Sequence, residues 1–311
     1  MALGCFLPLA MVFGCSHAPF RLPRSPEVVE KAVDARSGSI AFEEVGRGRP
    51  IIFLHGFGAS SYVWRDVIHE ISEGHKAIAI DLKGFGKSAK PRDDLYSVAD
   101  QAVVVGELIE ALDLTDVILV GHSFGGGVAL QAALNDVDGR RIRRLVLIDA
   151  MAYPQRLPSF IRALRCPLLA TVVLPFIPPK IAVRSGVRQA YYQPDRIRSD
   201  VLRAYANNLC SPDSRYVLRT TARQIVPRDT EALIGQYSNI QVPTLVLWGA
   251  HDRIIPLSSG RRLAQTIPGA TLAVLEDCGH APHEELPIDT ARAILAFLSS
   301  SEGERPLPEL K

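Results

Sequence analysis

The ten residues 117–126 read VILVGHSFGG, and this stretch determines how the rest of the chain is interpreted. It starts with a short apolar run of the kind that a buried strand requires, and the run passes directly into a Gly-x-Ser-x-Gly turn. The residues after the turn, up to Asn135, have the pattern of a helix. A serine in such a sharp turn takes a strained backbone conformation, and small residues two positions before and after it prevent clashes. Gly121 and Gly125 meet that need, so Ser123 is predicted to stand exposed at the carboxyl end of a sheet.

Apolar runs of the same kind recur along the chain, with helical segments between them. Runs that are apolar on both faces are typical of a buried parallel sheet. They lie at Ile51–Leu54, Ala77–Ile80, Val117–Val120, Leu145–Ile148, Leu245–Trp248 and Leu272–Leu275. Two earlier segments, Val28–Ala35 and Ser39–Val45, alternate more between apolar and polar residues and predict an antiparallel start of the sheet. Predicted helices are Tyr62–Ser72, Val98–Leu112, Gly125–Asn135, Ser258–Ile267 and Thr290–Leu298. This alternation predicts an α/β fold with a mostly parallel, doubly wound sheet covered by helices.

The alternation stops between about residues 153 and 226, where the sequence becomes helical and interrupted by prolines. We interpret this stretch as a helical lid inserted into a core formed by residues 27–152 and 227–300. Residues 1–26 are predicted to be a leader and linker, and the polar tail 301–311 is predicted to be flexible.

Composition limits the classes of partner and of bound group. The chain has 311 residues, of which 47% are hydrophobic, enough for one substantial core. Its 35 basic and 33 acidic residues are mixed along the chain, which argues against nucleic acid as a partner. Outside the leader there are three cysteines, and no metal-ligand spacing links them, so we predict neither a metal nor a cofactor. Cys166 and Cys210 would pair only in an exported protein, and free thiols are the simpler interpretation.

A second turn offers groups that would stabilise negative charge. Residues 54–58, LHGFG, follow another predicted core strand. The backbone N–H groups of Phe57 and Phe124 are our candidates for donors to the oxyanion that forms when Ser123 attacks a carbonyl carbon.

With these two motifs and the loop DLKGFGKS at residues 81–88, the chain resembles the α/β-hydrolase superfamily from about Glu27 to Ser300. In that family the loop is architectural, so Asp81 is interpreted as a turn residue. The resemblance implies a serine nucleophile, an acid after a late strand and a histidine after the last strand, in that chain order.

The acid implied by the resemblance is Asp252, in the segment LVLWGAHDRIIP at residues 245–256. It would hold the histidine tautomer and stabilise the imidazolium without taking the proton. Asp149 is the competitor, because some members of the family place the acid after the earlier strand that ends in LVLID.

The base implied by the resemblance is His280, in EDCGHAPHEELP at residues 276–287. A neutral imidazole can take the serine proton and return it to the leaving group. In the same segment, His283 is interpreted as a surface or helix-start residue, Glu285 as part of the start of the next helix, and Cys278 as a residue that packs under the histidine loop.

The serine at the turn excludes the aspartate-nucleophile relatives, the haloalkane dehalogenases and epoxide hydrolases. The leading hypothesis is hydrolysis of a small hydrophobic acyl or ester substrate through a covalent acyl-enzyme, because the lid supplies apolar segments such as Leu168–Ile177. One alternative is a carbon–carbon bond hydrolase of ring-cleavage products, although that group commonly has tryptophan where this chain has Ala281. Lactonase or perhydrolase activity is a further alternative. The other class is a noncatalytic binding protein, which usually loses a member of the triad.

The leader bears on localisation. Its first residues, MALGCFLPLAMVFGCS, are apolar and have the length of a signal peptide. Residues 12–15, VFGC, resemble a bacterial lipoprotein signal, in which the chain is cut before the cysteine and Cys15 carries lipid. We therefore predict export, with a membrane tether through lipidated Cys15. The alternative is a cytoplasmic enzyme with a disordered leader or a wrongly assigned start codon.

Overall fold

The computed structural model describes residues 27–136, 141–170 and 177–300. The predicted leader with Cys15 and the predicted tail lie outside these ranges.

The described strands are β1 (Val29–Ala35), β2 (Gly38–Val45), β3 (Arg49–Leu54), β4 (His75–Ile80), β5 (Val117–His122), β6 (Ile142–Ile148), β7 (Thr244–Gly249) and β8 (Thr271–Leu275). The described α-helices are α1 (Arg65–Ile71), α2 (Val98–Ala111), α3 (Phe124–Asn135), α4 (Ser159–Arg165), α5 (Pro179–Ala190), α6 (Ser199–Asn207), α7 (Pro212–Gln224), α8 (Thr230–Gln236), α9 (Leu257–Thr266), α10 (Pro282–Glu285) and α11 (Pro287–Ser299).

The described strands form one sheet in the order β1-β2-β4-β3-β5-β6-β7-β8. Strands β1 and β2 are antiparallel to their neighbours, and all later pairs are parallel. The predicted mostly parallel α/β fold is therefore confirmed. Because β5, β6, β7 and β8 run in one direction, the residues that follow them meet at one edge of the sheet.

Helices cover both faces of the sheet. Alternate side chains of β3 belong to two separate cores, Ile52 to one and Ile51 to the other. The first core contains residues of α2, α3 and α9, and the second contains residues of α1 and α11. Helix α2 begins at a capping box, in which the Ser97 hydroxyl accepts from the Asp100 N–H and the Asp100 carboxylate accepts from the Ser97 N–H.

Helices α4 to α8 lie between β6 and β7, in and just beyond the stretch predicted to be a lid. None of the helices in the described part of the chain combines the length and the apolar character needed to cross a bilayer. The three described cysteines, Cys166, Cys210 and Cys278, are free thiols.

The turn between β5 and α3 is both strained and tightly packed. Ser123 has a φ of 52°, a left-handed conformation that non-glycine residues rarely adopt. A Cβ atom on Gly125 would lie 2.4 Å from the Leu54 carbonyl oxygen, and one on Gly121 would lie 2.3 Å from the Gly125 carbonyl oxygen. Both contacts are with backbone, which has little freedom to move, so the two glycines allow β5, β3 and α3 to approach each other.

A pair of glycine substitutions tests this packing. Gly125→Ala is expected to lower the free energy of unfolding by roughly 1–3 kcal/mol or more, because the new methyl group overlaps the β3 backbone. Gly106→Ala in α2 is the matched control, because a Cβ there meets nothing within 4 Å and alanine favours a helix interior by roughly 0.5–1 kcal/mol. Urea unfolding measures both changes. Equal stability of the two variants would show that the turn tolerates a side chain at residue 125.

Candidate active site

Three side chains predicted from the sequence meet at the carboxyl edge of the sheet. Ser123 follows β5, Asp252 follows β7 and His280 follows β8. His280 Nε2 lies 2.9 Å from Ser123 Oγ, and His280 Nδ1 lies 2.7 Å from Asp252 Oδ2. The structure therefore joins the three in one hydrogen-bonded chain, and their catalytic roles stay predictions.

The surroundings of Asp252 favour its ionised form. Burial alone would raise the pKa of this carboxyl, but the neighbouring His280, with hydrogen bonds from side chains and backbone, outweighs burial and brings the pKa below its usual value. Its Oδ1 accepts the backbone N–H groups of Ile254 at 2.7 Å and Ile255 at 2.9 Å. An ionised carboxylate only accepts hydrogen bonds, so His280 Nδ1 carries the proton and Nε2 is free to accept from the serine.

Asp149, the competing acid, lies beside Asp252. Both ring nitrogens of His280 already have partners in Asp252 and Ser123, so the geometry favours Asp252 as the acid. Asp149 Oδ1 accepts the N–H of Gly249 at 3.1 Å. Burial, and then the charge of Asp252, raise the pKa of Asp149 well above its ordinary value, which favours the protonated form of this carboxyl beside the ionised one.

Among the described residues, Asp149, Asp252 and His280 form a cluster whose ligand atoms are close enough to bind one metal cation. Ligand atoms of Asp149, Asp252 and His280 lie within 4.8 Å of one another. A cation held by His280 Nδ1 and Asp252 would compete with the hydrogen bond between them. The absence of a metal or cofactor stays a prediction.

The two predicted oxyanion donors, Phe57 and Phe124, line the same cavity as Ser123. Phe124 is the first residue of α3, where backbone N–H groups are free of partners within the helix. The loop that carries Phe57 lies against the serine turn, because a Cβ on Gly56 would lie 3.3 Å from the Ser123 Cβ atom. This placement suits an oxyanion hole, and the role of both N–H groups stays a prediction.

A cavity of about 450 Å³ opens onto Ser123 and His280 between the sheet edge and the inserted helices. Its lining is mostly apolar, with Phe160, Ile161 and Leu164 from α4 and Val183 and Val187 from α5. Among the described residues, no lysine or arginine lines it.

Among the described residues that line the cavity, Glu284 is the one that carries a carboxyl group. Burial raises its pKa to about 7, although Arg65 and the hydroxyl groups of two tyrosines oppose the shift. One of these, Tyr205, donates to Glu284 Oε2 at 3.2 Å.

The comparisons with known proteins agree with this fold. The family model for the alpha/beta hydrolase fold matches residues 49–287. The chain belongs to the α/β-hydrolase fold family. A 2-hydroxy-6-oxo-2,4-heptadienoate hydrolase of Pseudomonas putida is 30% identical to it over 267 residues, which cover 83% of this chain and 92% of that protein. Lipase 1 of Psychrobacter immobilis is 27% identical over 282 residues, which cover 89% of this chain and 83% of that protein. The crystal structure of an α/β-hydrolase fold protein from Burkholderia ambifaria superposes with a TM-score of 0.78 at 27% identity and covers 87% of this chain and 99% of that one.

The hydrolase has a residue at its site whose role the sequence analysis missed. Glu285 was assigned only to the start of a helix, but its Oε1 accepts the N–H groups of Gly279 at 3.0 Å and Ala281 at 3.3 Å, on both sides of His280. Its Oε2 accepts the N–H of Tyr192, just beyond α5, at 2.7 Å. Glu285 therefore holds the histidine loop and joins it to the inserted helices. Its sequence signal was its position five residues after His280, next to a loop whose N–H groups need acceptors.

The interpretation of His283 as a surface residue is wrong. Its side chain is fully buried, with its ring centroid 4.5 Å from that of Trp64 and 4.3 Å from that of His122. Burial, and then the other histidines, bring the pKa of His283 well below its ordinary value. This shift favours the neutral ring, which packs in the interior. His122, whose pKa burial lowers to about 3, donates from Nε2 to the His280 carbonyl oxygen at 2.7 Å.

Cys278 lies under the histidine loop. It is fully buried, and burial together with the neighbouring Glu285 raises the pKa of its thiol. The protonated thiol is a poor nucleophile, so its position and its ionisation both favour a packing role.

The two buried aspartates are predicted to differ in their effect on turnover. Asp252→Asn should keep the fold and lower kcat by about four orders of magnitude, because an amide cannot hold the required tautomer of His280. Asp149→Asn should change kcat by less than roughly tenfold, because an amide can replace a protonated carboxyl. Steady-state kinetics on a chromogenic ester and unfolding curves for both variants measure this difference. The reverse ranking of the two variants would assign the acid to Asp149.

A second prediction concerns Glu285 as a positioning residue. Glu285→Gln puts an N–H₂ group where a backbone N–H donates, so the histidine loop should shift and kcat should fall by roughly a hundredfold. Glu276→Gln is the matched control, because Glu276 is exposed at the end of β8. Modification of Ser123 by a fluorophosphonate should slow in parallel with kcat. A variant that loses stability but keeps the wild-type kcat would limit Glu285 to a structural role.

Proposed function

We propose that this hydrolase cleaves carboxylic esters with a hydrophobic acyl group, through an acyl-enzyme on Ser123. The observation that carries the proposal is the hydrogen-bonded chain from Ser123 through His280 to Asp252 at the wall of an apolar cavity. His280 Nε2 takes the proton as Ser123 Oγ attacks the carbonyl carbon, and the N–H groups of Phe57 and Phe124 stabilise the oxyanion. His280 then protonates the leaving alcohol and later activates the water that releases the acid.

The second candidate is hydrolysis of a carbon–carbon bond in a ring-cleavage product. The relative from Pseudomonas putida favours it, because that protein is named a 2-hydroxy-6-oxo-2,4-heptadienoate hydrolase. Such a dienoate carries a carboxylate, and burying one is costly without a positive partner. The described lining offers no lysine or arginine and includes the carboxyl of Glu284, which favours a neutral ester.

A substrate series tests the proposal. With p-nitrophenyl esters of increasing acyl length, kcat/KM is expected to rise about fourfold for each added methylene until the cavity is filled, because each buried methylene contributes about 0.8 kcal/mol. Ser123→Ala should abolish both turnover and fluorophosphonate labelling. Faster turnover of a 2-hydroxy-6-oxo-dienoate than of every ester would assign the second candidate instead. A folded wild-type protein that neither turns over substrate nor reacts with the probe would favour the noncatalytic alternative.

A further inference from the structure

The insertion has an unusual distribution of charge. Residues 150–194 contain no aspartate or glutamate, whereas the whole chain has 33 acidic residues against 35 basic ones. The basic residues in this stretch are Arg156, Arg162, Arg165, Lys180, Arg184 and Arg188. This excess of positive charge is local, because the chain as a whole has a net charge of only +2.

Helices α4 and α5 turn these charges outward. Their inner faces line the cavity through residues such as Leu164 and Val183, while Arg162, Lys180 and Arg184 are exposed. Within the described ranges, Arg162, Arg165, Lys180 and Arg184 have no carboxylate within ion-pairing distance, and Arg188 lies 3.9 Å from Asp195. The outward charge is therefore largely uncompensated by the protein.

Large apolar side chains are exposed just after α4 and at the start of α5. The exposed fractions are 67% for Leu168, 41% for Leu169 and 62% for Ile181. Ser159 at the start of α4 donates to Gln189 near the end of α5, which places these two helix ends beside each other. Leu168 and Leu169 follow the end of α4, and Ile181 lies in the first turn of α5.

We propose that this outer face, formed by Arg162, Arg165, Leu168, Leu169, Lys180, Ile181 and Arg184, docks on an anionic lipid bilayer. Apolar side chains inserted at the level of the headgroups, surrounded by lysine and arginine, are the combination that holds proteins at such a surface. Each basic residue near an anionic membrane strengthens binding roughly fivefold. A nucleic acid would use the charges but would leave the exposed leucines and isoleucine in water. The proposal is independent of the ester chemistry, because binding to lipid needs no turnover.

The experiment places a reporter at the face itself. The chain has two tryptophans, Trp64 and Trp248, and both are fully buried, so a tryptophan introduced by Ile181→Trp is the exposed one. Its fluorescence should be quenched by vesicles of brominated phosphatidylcholine and phosphatidylglycerol in equal parts. Val103→Trp is the control, because Val103 is 53% exposed on α2, outside the insertion. Position-specific quenching separates docking of this face from a tether in the leader, which would hold both variants at the vesicle equally.

Charge variants complete the test. In the Ile181→Trp background, Arg165→Gln, Lys180→Gln and Arg184→Gln together should weaken vesicle binding on the order of a hundredfold. The same change at the exposed Arg36, Arg261 and Arg292, outside the insertion, should have little effect. Vesicles of pure phosphatidylcholine should bind weakly, and added salt should release the protein. Circular dichroism melting curves confirm that the variants fold.

Three outcomes would overturn the proposal. These are quenching that is equal at residues 181 and 103, quenching at residue 181 that the charge variants do not reduce, and a fluorescence change with an RNA homopolymer but not with vesicles. None of these outcomes bears on ester hydrolysis, which the substrate series measures separately.

Discussion

The site depends on the strained backbone of Ser123, which the sheet and its flanking segments hold from several sides. Its N–H donates to the Ile148 carbonyl oxygen at 3.0 Å, which continues the pairing of β5 with β6. Its carbonyl oxygen accepts the N–H groups of Gly126, Gly127 and Met151 at 2.9 to 3.1 Å. Such a conformation costs of order 1–3 kcal/mol, and it persists because these bonds would be lost if the turn relaxed. In this conformation the hydroxyl lies within hydrogen-bonding distance of His280.

Four buried or partly buried carboxyl groups surround the histidine, and their environments give them different states. The imidazole and backbone N–H groups favour the ionised form of Asp252, whereas burial and the charge of Asp252 favour the protonated form of Asp149 beside it. Glu285 is bonded by backbone N–H groups on both sides of His280, which offset part of the rise in its pKa caused by burial. Glu284 has its pKa raised to about 7, so its charge changes in the range where an imidazole works. Carboxyl groups at one site thus differ in role and ionisation according to what surrounds each of them.

The sequence was sufficient for the residues that follow strands. The resemblance to the α/β-hydrolase superfamily implied Asp252 and His280 as the partners of Ser123, and parallel strands bring their carboxyl ends to one edge, whatever the length of chain between them. Strand geometry alone left Asp149 as a competitor, because it also follows a parallel strand. Glu285 could not be assigned its role in the same way, because its partners are backbone N–H groups, which carry no side-chain signature, and one of them belongs to Tyr192, 93 residues away. His283 was interpreted as a surface or helix-start residue, and it does lie in α10, but its burial against Trp64 and His122 depends on long-range packing that the local sequence does not show. The predicted helix Tyr62–Ser72 divides into a short 3₁₀ turn, Ser61–Trp64, and α1, a change of winding that apolar spacing alone does not reveal.

The hydrogen bonds around Glu285 also limit how the cavity can open. The His280 N–H donates to the Ala190 carbonyl oxygen at 2.6 Å, and the Tyr192 N–H donates to Glu285 at 2.7 Å, so the end of α5 is joined twice to the histidine loop. If the insertion moved away as a rigid body, both bonds would break and His280 would lose the supports that aim it at Ser123. Access to the cavity that preserves the triad therefore requires the end of α5 to stay in place.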